Sequence, residues 1–343
     1  MKILSFVIPA YNSKQYLDKC VTSLLHESVI NNIEIIIVND GSTDNTAEIA
    51  QKYCDQYPET VKLISQENKG HGGALNTGCA VATGKYLKVI DADDWVETEN
   101  LPAFIEALKN CECDVVLTHH YTINQSTDEV KKWKNYPEKF STPLSFSYIV
   151  ESFGNFDRSI TFHGITYNTK FYHKHNHKLL EKVFYEDHEF STFPCHLAES
   201  VMSLDMFIYD YRIGDVTQSV SEENQLKRLS HTEAVLNRFI EEYKNLENES
   251  DTVKNFICYK AKILLLSYLN TVLLVEKDKK RGRSSADKMM DLFSKEMPFA
   301  YTLSLKQYKI FKLMNIAHIG NKTFDKIISS GIYRKIKGTH DFD

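Results

Sequence analysis

Paired cysteines, long apolar runs and an excess of basic charge are all missing from this sequence. Its seven cysteines (Cys20, Cys54, Cys79, Cys111, Cys113, Cys195 and Cys258) form an odd, scattered set. Cys111 and Cys113 lack metal-ligand spacing, so free thiols in a reducing, cytoplasmic setting are expected. A membrane span needs roughly 20 apolar residues. The longest apolar stretch, Ile263–Val275, falls short and contains Ser267, Asn270 and Thr271, so it reads as a core helix. The chain opens directly on a strand-like run, Ile3–Ile8, and no signal peptide is read there. Glycine (13) and proline (7) are sparse in 343 residues, which excludes fibrous and disordered classes. A net charge of −5 argues against a general nucleic-acid binder.

What is present is unevenly placed. From Lys227 onward there are 22 basic and 14 acidic residues, a balance of +8; the first 226 residues hold 19 and 32, a balance of −13. An acidic front and a basic tail imply two parts with different partners. The front alternates strand and helix signals: Phe6–Ile8, a helix from Tyr16, the β-branched run Ile33–Val38, a helix to about Tyr57, Val61–Ser65, Gly73–Thr83, Tyr86–Ile90 and Asp114–Thr118. Such alternation predicts β-α-β units around a mostly parallel sheet. From about residue 140 to Ser221 the pattern is irregular and aromatic. Four helices are expected after it, with loops at Glu247–Asp251 and Lys277–Arg283. The predicted boundary separates residues 1–222, divided near residue 118 into a donor half and an acceptor half, from a helical region at 223–343.

In parallel α/β sheets, ligands bind beyond the carboxyl ends of the strands. The polar clusters fall there: Pro9-Ala10-Tyr11-Asn12, Asp40-Gly41-Ser42-Thr43-Asp44 and Asp91-Ala92-Asp93-Asp94. Oxygen-rich groups of the last kind suit Mg²⁺ or Mn²⁺, especially when phosphates complete the shell.

Together with Asn68-Lys69-Gly70 and Ala74-Leu75-Asn76-Thr77-Gly78, these four motifs, in this order over about residues 3–100, resemble family 2 glycosyltransferases. The resemblance implies a GT-A, Rossmann-like catalytic domain that binds a nucleotide-sugar, with UDP as the expected nucleotide and a divalent cation. By it, Pro9 and Tyr11 wall the base, Asp40 accepts from the uracil imide, and Asn68 and Asn76 belong to the nucleotide-binding set. Asp91 meets ribose or donor sugar, and Asp93 binds the metal. The family's usual Arg before Asn76 is Leu75 here, leaving Lys69 and His71 as nearby substitutes for that cation. Glu186-Asp187 resembles the family's catalytic-base element, which makes Asp187 the base of an inverting transfer. Glu186 and Glu189 read equally as acids facing a helix dipole. His163, Arg212 and Gln218 are candidates at the acceptor and diphosphate ends; each reads also as a buried polar residue holding the domain junction.

Trp95 and Trp133 are the only tryptophans, and no Q-x-x-R-W element exists. A non-processive transferase acting on a surface polysaccharide, lipid-linked or other glycan acceptor is therefore expected. Two alternatives are weaker. A sugar-nucleotide nucleotidyltransferase would carry a Gly-rich N-terminal loop, and a non-catalytic module would lack a base. Between Tyr301 and Gly338, eight basic residues stand against Asp325 alone, with apolar residues among them. That tail reads as helices packed on the protein, as contact with the inner face of the cell membrane, or as a homodimer interface.

Overall fold

The computed structural model describes residues 2–134, 142–153, 160–175, 177–214 and 222–321. They fall into two compact units: Met1–Gln218 with Ser250–Phe256, and Ser219–Glu249 with Ile257–Asp343.

The first unit follows the predicted alternation. Its elements are β1 (Leu4–Ala10), α1 (Leu17–Leu24), β2 (Ile33–Asp40), α2 (Thr46–Gln56), β3 (Val61–Gln66), α3 (Gly70–Val81), β4 (Tyr86–Val89), β5 (Trp95–Val96) and α4 (Leu101–Lys109). There follow β6 (Val115–Asn124), β7 (Val130–Trp133), α5 (Phe146–Phe153), β8 (Ile165–Asn168), α6 (Thr169–His175), α7 (Asp187–Phe190) and β9 (Val201–Ile213). The sheet order is β3-β2-β1-β4-β8-β6-β9-β5, with β7 also paired to β6. The first four strands are parallel, whereas β8 is antiparallel to both β4 and β6. The sheet is thus parallel over β1–β4 and mixed beyond them.

All of β1 and β2 is buried, as expected for strands covered on both faces. Glu34 puts a charge inside that buried run. Its carboxylate lies 1% exposed and accepts from Ser5 Oγ (2.6 Å), the Thr83 amide (2.6 Å) and Lys62 Nζ (2.8 Å). Burial pulls its pKa upward, but these donors outweigh that and bring it down to about 2. One carboxylate thereby ties β1, β2, β3 and the turn into β4 together.

The "irregular" middle contains a 13-residue strand, β9, which the sequence does not advertise. Its pairing with β6 shifts register twice, between Leu117 and His119 and again between His119 and His120. Each irregularity resets which side chains face the core, and so erases the period-2 signal.

The second unit is helical: α8 (Glu222–Lys227), α9 (Leu229–Asn245), α10 (Asp251–Asn270, continued by a π-helical stretch, Thr271–Val275), α11 (Lys279–Glu296) and α12 (Pro298–Ile316). The first turns of α10 group with the other unit, where Phe256 packs edge-on against Phe146 at 4.8 Å. The expected loop over Lys277–Arg283 is corrected: α11 begins at Lys279. Asp278 caps it, accepting from the amides of Lys280 and Arg281 at 3.0 Å each. Gly282 belongs inside that helix because a Cβ there would meet the Val272 carbonyl oxygen at 2.0 Å. Asp251–Val275 is long and apolar enough to cross a membrane, but 67% of its apolar window is buried, as a core helix requires.

Candidate active site

The strand order reverses beside β1, between β2 and β4, and the ligand crevice of such a sheet opens there. The ends of β1, β2 and β4 deliver Pro9, Asp40 and Asp91 to this rim. Pro9 is buried, and Tyr11 just beyond it is 52% exposed. Asp40 is buried and accepts from Gln66 Nε2 (2.7 Å) and the Lys69 amide (2.8 Å), while Asn68 Nδ2 donates to the Asp40 carbonyl (2.9 Å). Asp40 and Asn68 are thus held together, as a nucleoside-facing pair would need to be.

Asn76 sits elsewhere. Its amide donates to the Leu179 carbonyl (3.0 Å) and accepts from the Leu179 amide (2.9 Å). That pairing fastens α3 to the segment leading toward Asp187. Gly70, at φ +76°, makes the same approach possible, because a Cβ there would lie 2.8 Å from the Lys182 backbone. Tyr185 stands at φ +74°, a strained position for a bulky residue, one step before Glu186.

The docking has a chemical result. His71, in the first turn of α3, lies between two carboxylates: Nδ1 is 2.6 Å from Glu186 Oε1 and Nε2 is 2.8 Å from Asp91 Oδ1. Burial opposes a charge on the ring, but Asp91 and Glu186 outweigh it and hold the His71 pKa well above the usual imidazole range. This cation lies near the one that the motif lost at Leu75. Glu186, 2% exposed, is itself raised by burial, with His71 opposing.

Asp93 pairs with Arg212, Oδ2 to Nη2 at 3.0 Å, and the Arg212 Nε also donates to the Asp93 carbonyl. The guanidinium rests on the Tyr16 ring, 4.1 Å from its centroid. Burial, and then Asp91, push Asp93 above the usual carboxylate range. Asp94 is buried and accepts from Tyr209 Oη (2.7 Å) and the Arg212 amide (2.7 Å), so it shapes the loop from beneath.

Among the described residues, ligand atoms converge at Asp91, Asp94 and His163, all within 4.8 Å of one another. Asp93, expected as the metal ligand, pairs with Arg212 and lies outside that group. His163 stacks on Tyr211 at 4.1 Å. Burial, then His120 and Lys88, push its pKa well below the usual range, so the ring is neutral and able to ligate. The buried Lys88 Nζ donates to the carbonyls of His163 (2.7 Å) and Ile165 (3.2 Å), pinning that turn; burial lowers its pKa to about 7. The Tyr211 hydroxyl is raised by burial and then by Asp94, Asp91, Asp187 and Asp93, so the expected base joins the same electrostatic neighbourhood. Asp187 is half-buried at the start of α7. Gln218 lies outside the described residues.

A switch-point crevice lined by carboxylates, on a sheet of this order, defines a GT-A-like α/β protein. Residues 5–197 match glycosyl transferase family 2. The chain belongs to that family. It is 37% identical over 126 residues to "Glycosyltransferase GlyG" of Streptococcus pneumoniae serotype 4, a match covering 36% of this chain and 41% of that protein. It is 26% identical to "Putative glycosyltransferase EpsH" of Bacillus subtilis, over 78% of each. The chain spans less than half the length of the first curated relatives it matches. In fold it resembles residues 1–349 of S. aureus TarS, crystallised with UDP-GlcNAc (TM-score 0.61, 19% identity, 92% of this chain and 89% of that one).

Proposed function

We propose that the chain transfers a sugar from a UDP-sugar to a hydroxyl of a bacterial glycan or lipid-linked acceptor, with inversion and without processive synthesis. The observation that carries this reading is the Glu186–His71–Asp91 bridge, at 2.6 and 2.8 Å. It couples the segment bearing the base to the loop bearing the donor. Asp187 takes the proton of the acceptor hydroxyl as its oxygen attacks the anomeric carbon from the face opposite the diphosphate. The bond to the diphosphate oxygen breaks, and the nucleoside diphosphate departs against the positive charge of Arg212 and His71. Asp40 and Asn68 hold the base, with Pro9 and Tyr11 as its walls.

Asp91, Asp94 and His163 would hold a divalent cation. The two carboxylates suit Mn²⁺ or Mg²⁺ and the neutral imidazole favours Mn²⁺ of the two, the part of the ion when bound being to neutralise the diphosphate. Mn²⁺ restoring activity after chelation, and losing that effect in His163→Ala, is the outcome this set requires.

Replacing Asp187 by Asn tests the whole assignment. Transfer to an acceptor should fall about 10²–10⁴-fold, while UDP binding by calorimetry stays unchanged. Near-normal turnover in this variant would remove Asp187 as the base. We place the enzyme in the cytoplasm, with the basic tail contacting the inner membrane surface.

A further inference from the structure

Strand β9 carries two tyrosines two positions apart, Tyr209 and Tyr211, and a strand points such side chains to one face. The two serve differently. Tyr209 is fully buried; its hydroxyl donates to Asp94 (2.7 Å) and accepts from the Asp91 amide (3.1 Å), which fixes the Asp91–Asp94 loop from within. Tyr211, one step nearer the end of the strand, is half-buried, and its ring stacks on His163 at 4.1 Å and 26°. His163 is itself held against Tyr209 (4.8 Å) and His120 (4.9 Å), so Tyr211 lies on a fixed shelf. Its hydroxyl is open to solvent and makes no hydrogen bond among the described residues.

The neighbours of that hydroxyl locate it. Besides burial, the groups that act on it are Asp94, Asp91, Asp187 and Asp93, so it faces both the Asp91–Asp94 loop and the start of α7. In a displacement with inversion, the base and the leaving group work on opposite faces of the anomeric carbon. The ring of the transferred sugar therefore fills the space between Asp187 and the loop, and Tyr211 borders that space. A phenol at neutral pH offers an O–H donor, and a sugar hydroxyl accepts. We propose that Tyr211 is a substrate-contacting residue, whose hydroxyl donates to a hydroxyl oxygen of the transferred sugar and fixes how its ring lies between base and loop. This deepens the reading of the chain as an inverting UDP-sugar transferase and rests on it.

Tyr211→Phe removes one oxygen and leaves the ring on His163. The test is a calorimetric titration of the parent chain and this variant, in Mn²⁺, with UDP, UDP-glucose, UDP-galactose and UDP-GlcNAc. UDP should bind both proteins equally, which also reports that the variant is folded. The UDP-sugar that the parent binds most tightly should bind the variant about fivefold more weakly, the loss expected for one neutral hydrogen bond. Equal weakening of UDP and UDP-sugar would give the hydroxyl to the diphosphate, and unchanged affinity for both would leave it without a ligand. Either result overturns the proposal. A parent chain that binds none of the three UDP-sugars removes the transferase reading itself. A parent that binds one, with Tyr211→Phe binding it equally well, leaves that reading standing and removes only Tyr211.

Discussion

Arg212 shows how a single side chain sets the charge of the proposed donor site. Three aspartates occur within four positions; burial and then Asp91 raise the cost of ionising Asp93, and burial with both of them raises it for Asp94. Arg212 offsets this with one contact to the Asp93 carboxylate and another to its carbonyl, braced flat on Tyr16. A lysine can supply the charge but neither the fork nor the stacking plane. Arg212→Lys should therefore raise the Kd for UDP about tenfold, and Arg212→Met further, as a diphosphate entering beside uncompensated carboxylates pays about 1–3 kcal/mol. Isothermal titration checks this, and equal UDP affinity in both variants would show that Asp93 does not govern the donor. The sequence singles out Arg212 only through family resemblance. Its partner lies 119 positions away, and no local pattern encodes that pairing. His71 and Glu186 are 115 positions apart for the same reason. The carboxylates are legible because they directly follow strand β4; the pairings of the cations that balance them are not.

At the scale of elements, legibility tracks periodicity. The runs forming β1 to β4 are short, β-branched and bounded by turn residues, and they appear where the alternation predicts them. Strand β9 escapes because its register irregularities against β6 and its inward polar residues, Asp210 and Arg212, remove the alternation. The start of α11 escapes because charge density in Lys277–Arg283 looks like solvent-exposed loop, whereas Asp278 makes it a capped helix start. Glu34 is the reverse case, a charge inside a strand that reads as an interruption and acts as a clamp. Its folded pKa of about 2 lies below its ordinary 4.5, so its contribution is full above about pH 4.5 and is lost as pH falls toward 2. That shift corresponds to about 3 kcal/mol. Glu34→Gln should lower the unfolding free energy by an amount of that order at pH 7, and the difference between variant and parent should shrink toward pH 2. Urea denaturation across that range checks it, and a pH-independent difference would mean that Glu34 acts by packing alone.

At the scale of the whole chain, the −13 and +8 halves correspond to different surfaces. Acidic charge in the front includes the carboxylates at the carboxyl-end rim of the sheet. In the tail, α12 presents an exposed face with Lys306, Lys309, Ile310, Leu313 and Ile316, the last two 67% and 56% exposed. Lys312 is half-buried and engaged with Asp287 at 2.7 Å, so it is not part of that face. The remaining basic residues of the expected patch, Lys322, Lys326, Arg334, Lys335 and Lys337, lie outside the described residues. Cations beside exposed apolar side chains on one helical stripe match the surface of an anionic bilayer, where each cation contributes about 1 kcal/mol and each apolar group adds its burial. Lys306→Gln with Lys309→Gln should then cost about 2 kcal/mol, roughly a thirtyfold loss of affinity for phosphatidylglycerol vesicles. Leu313→Glu should weaken binding at every salt concentration, whereas the lysine contribution should fade as salt shortens the screening length. Vesicle co-sedimentation separates these cases. Binding that is indifferent to both substitutions and to salt would assign the α12 face to another partner and leave the donor chemistry untouched.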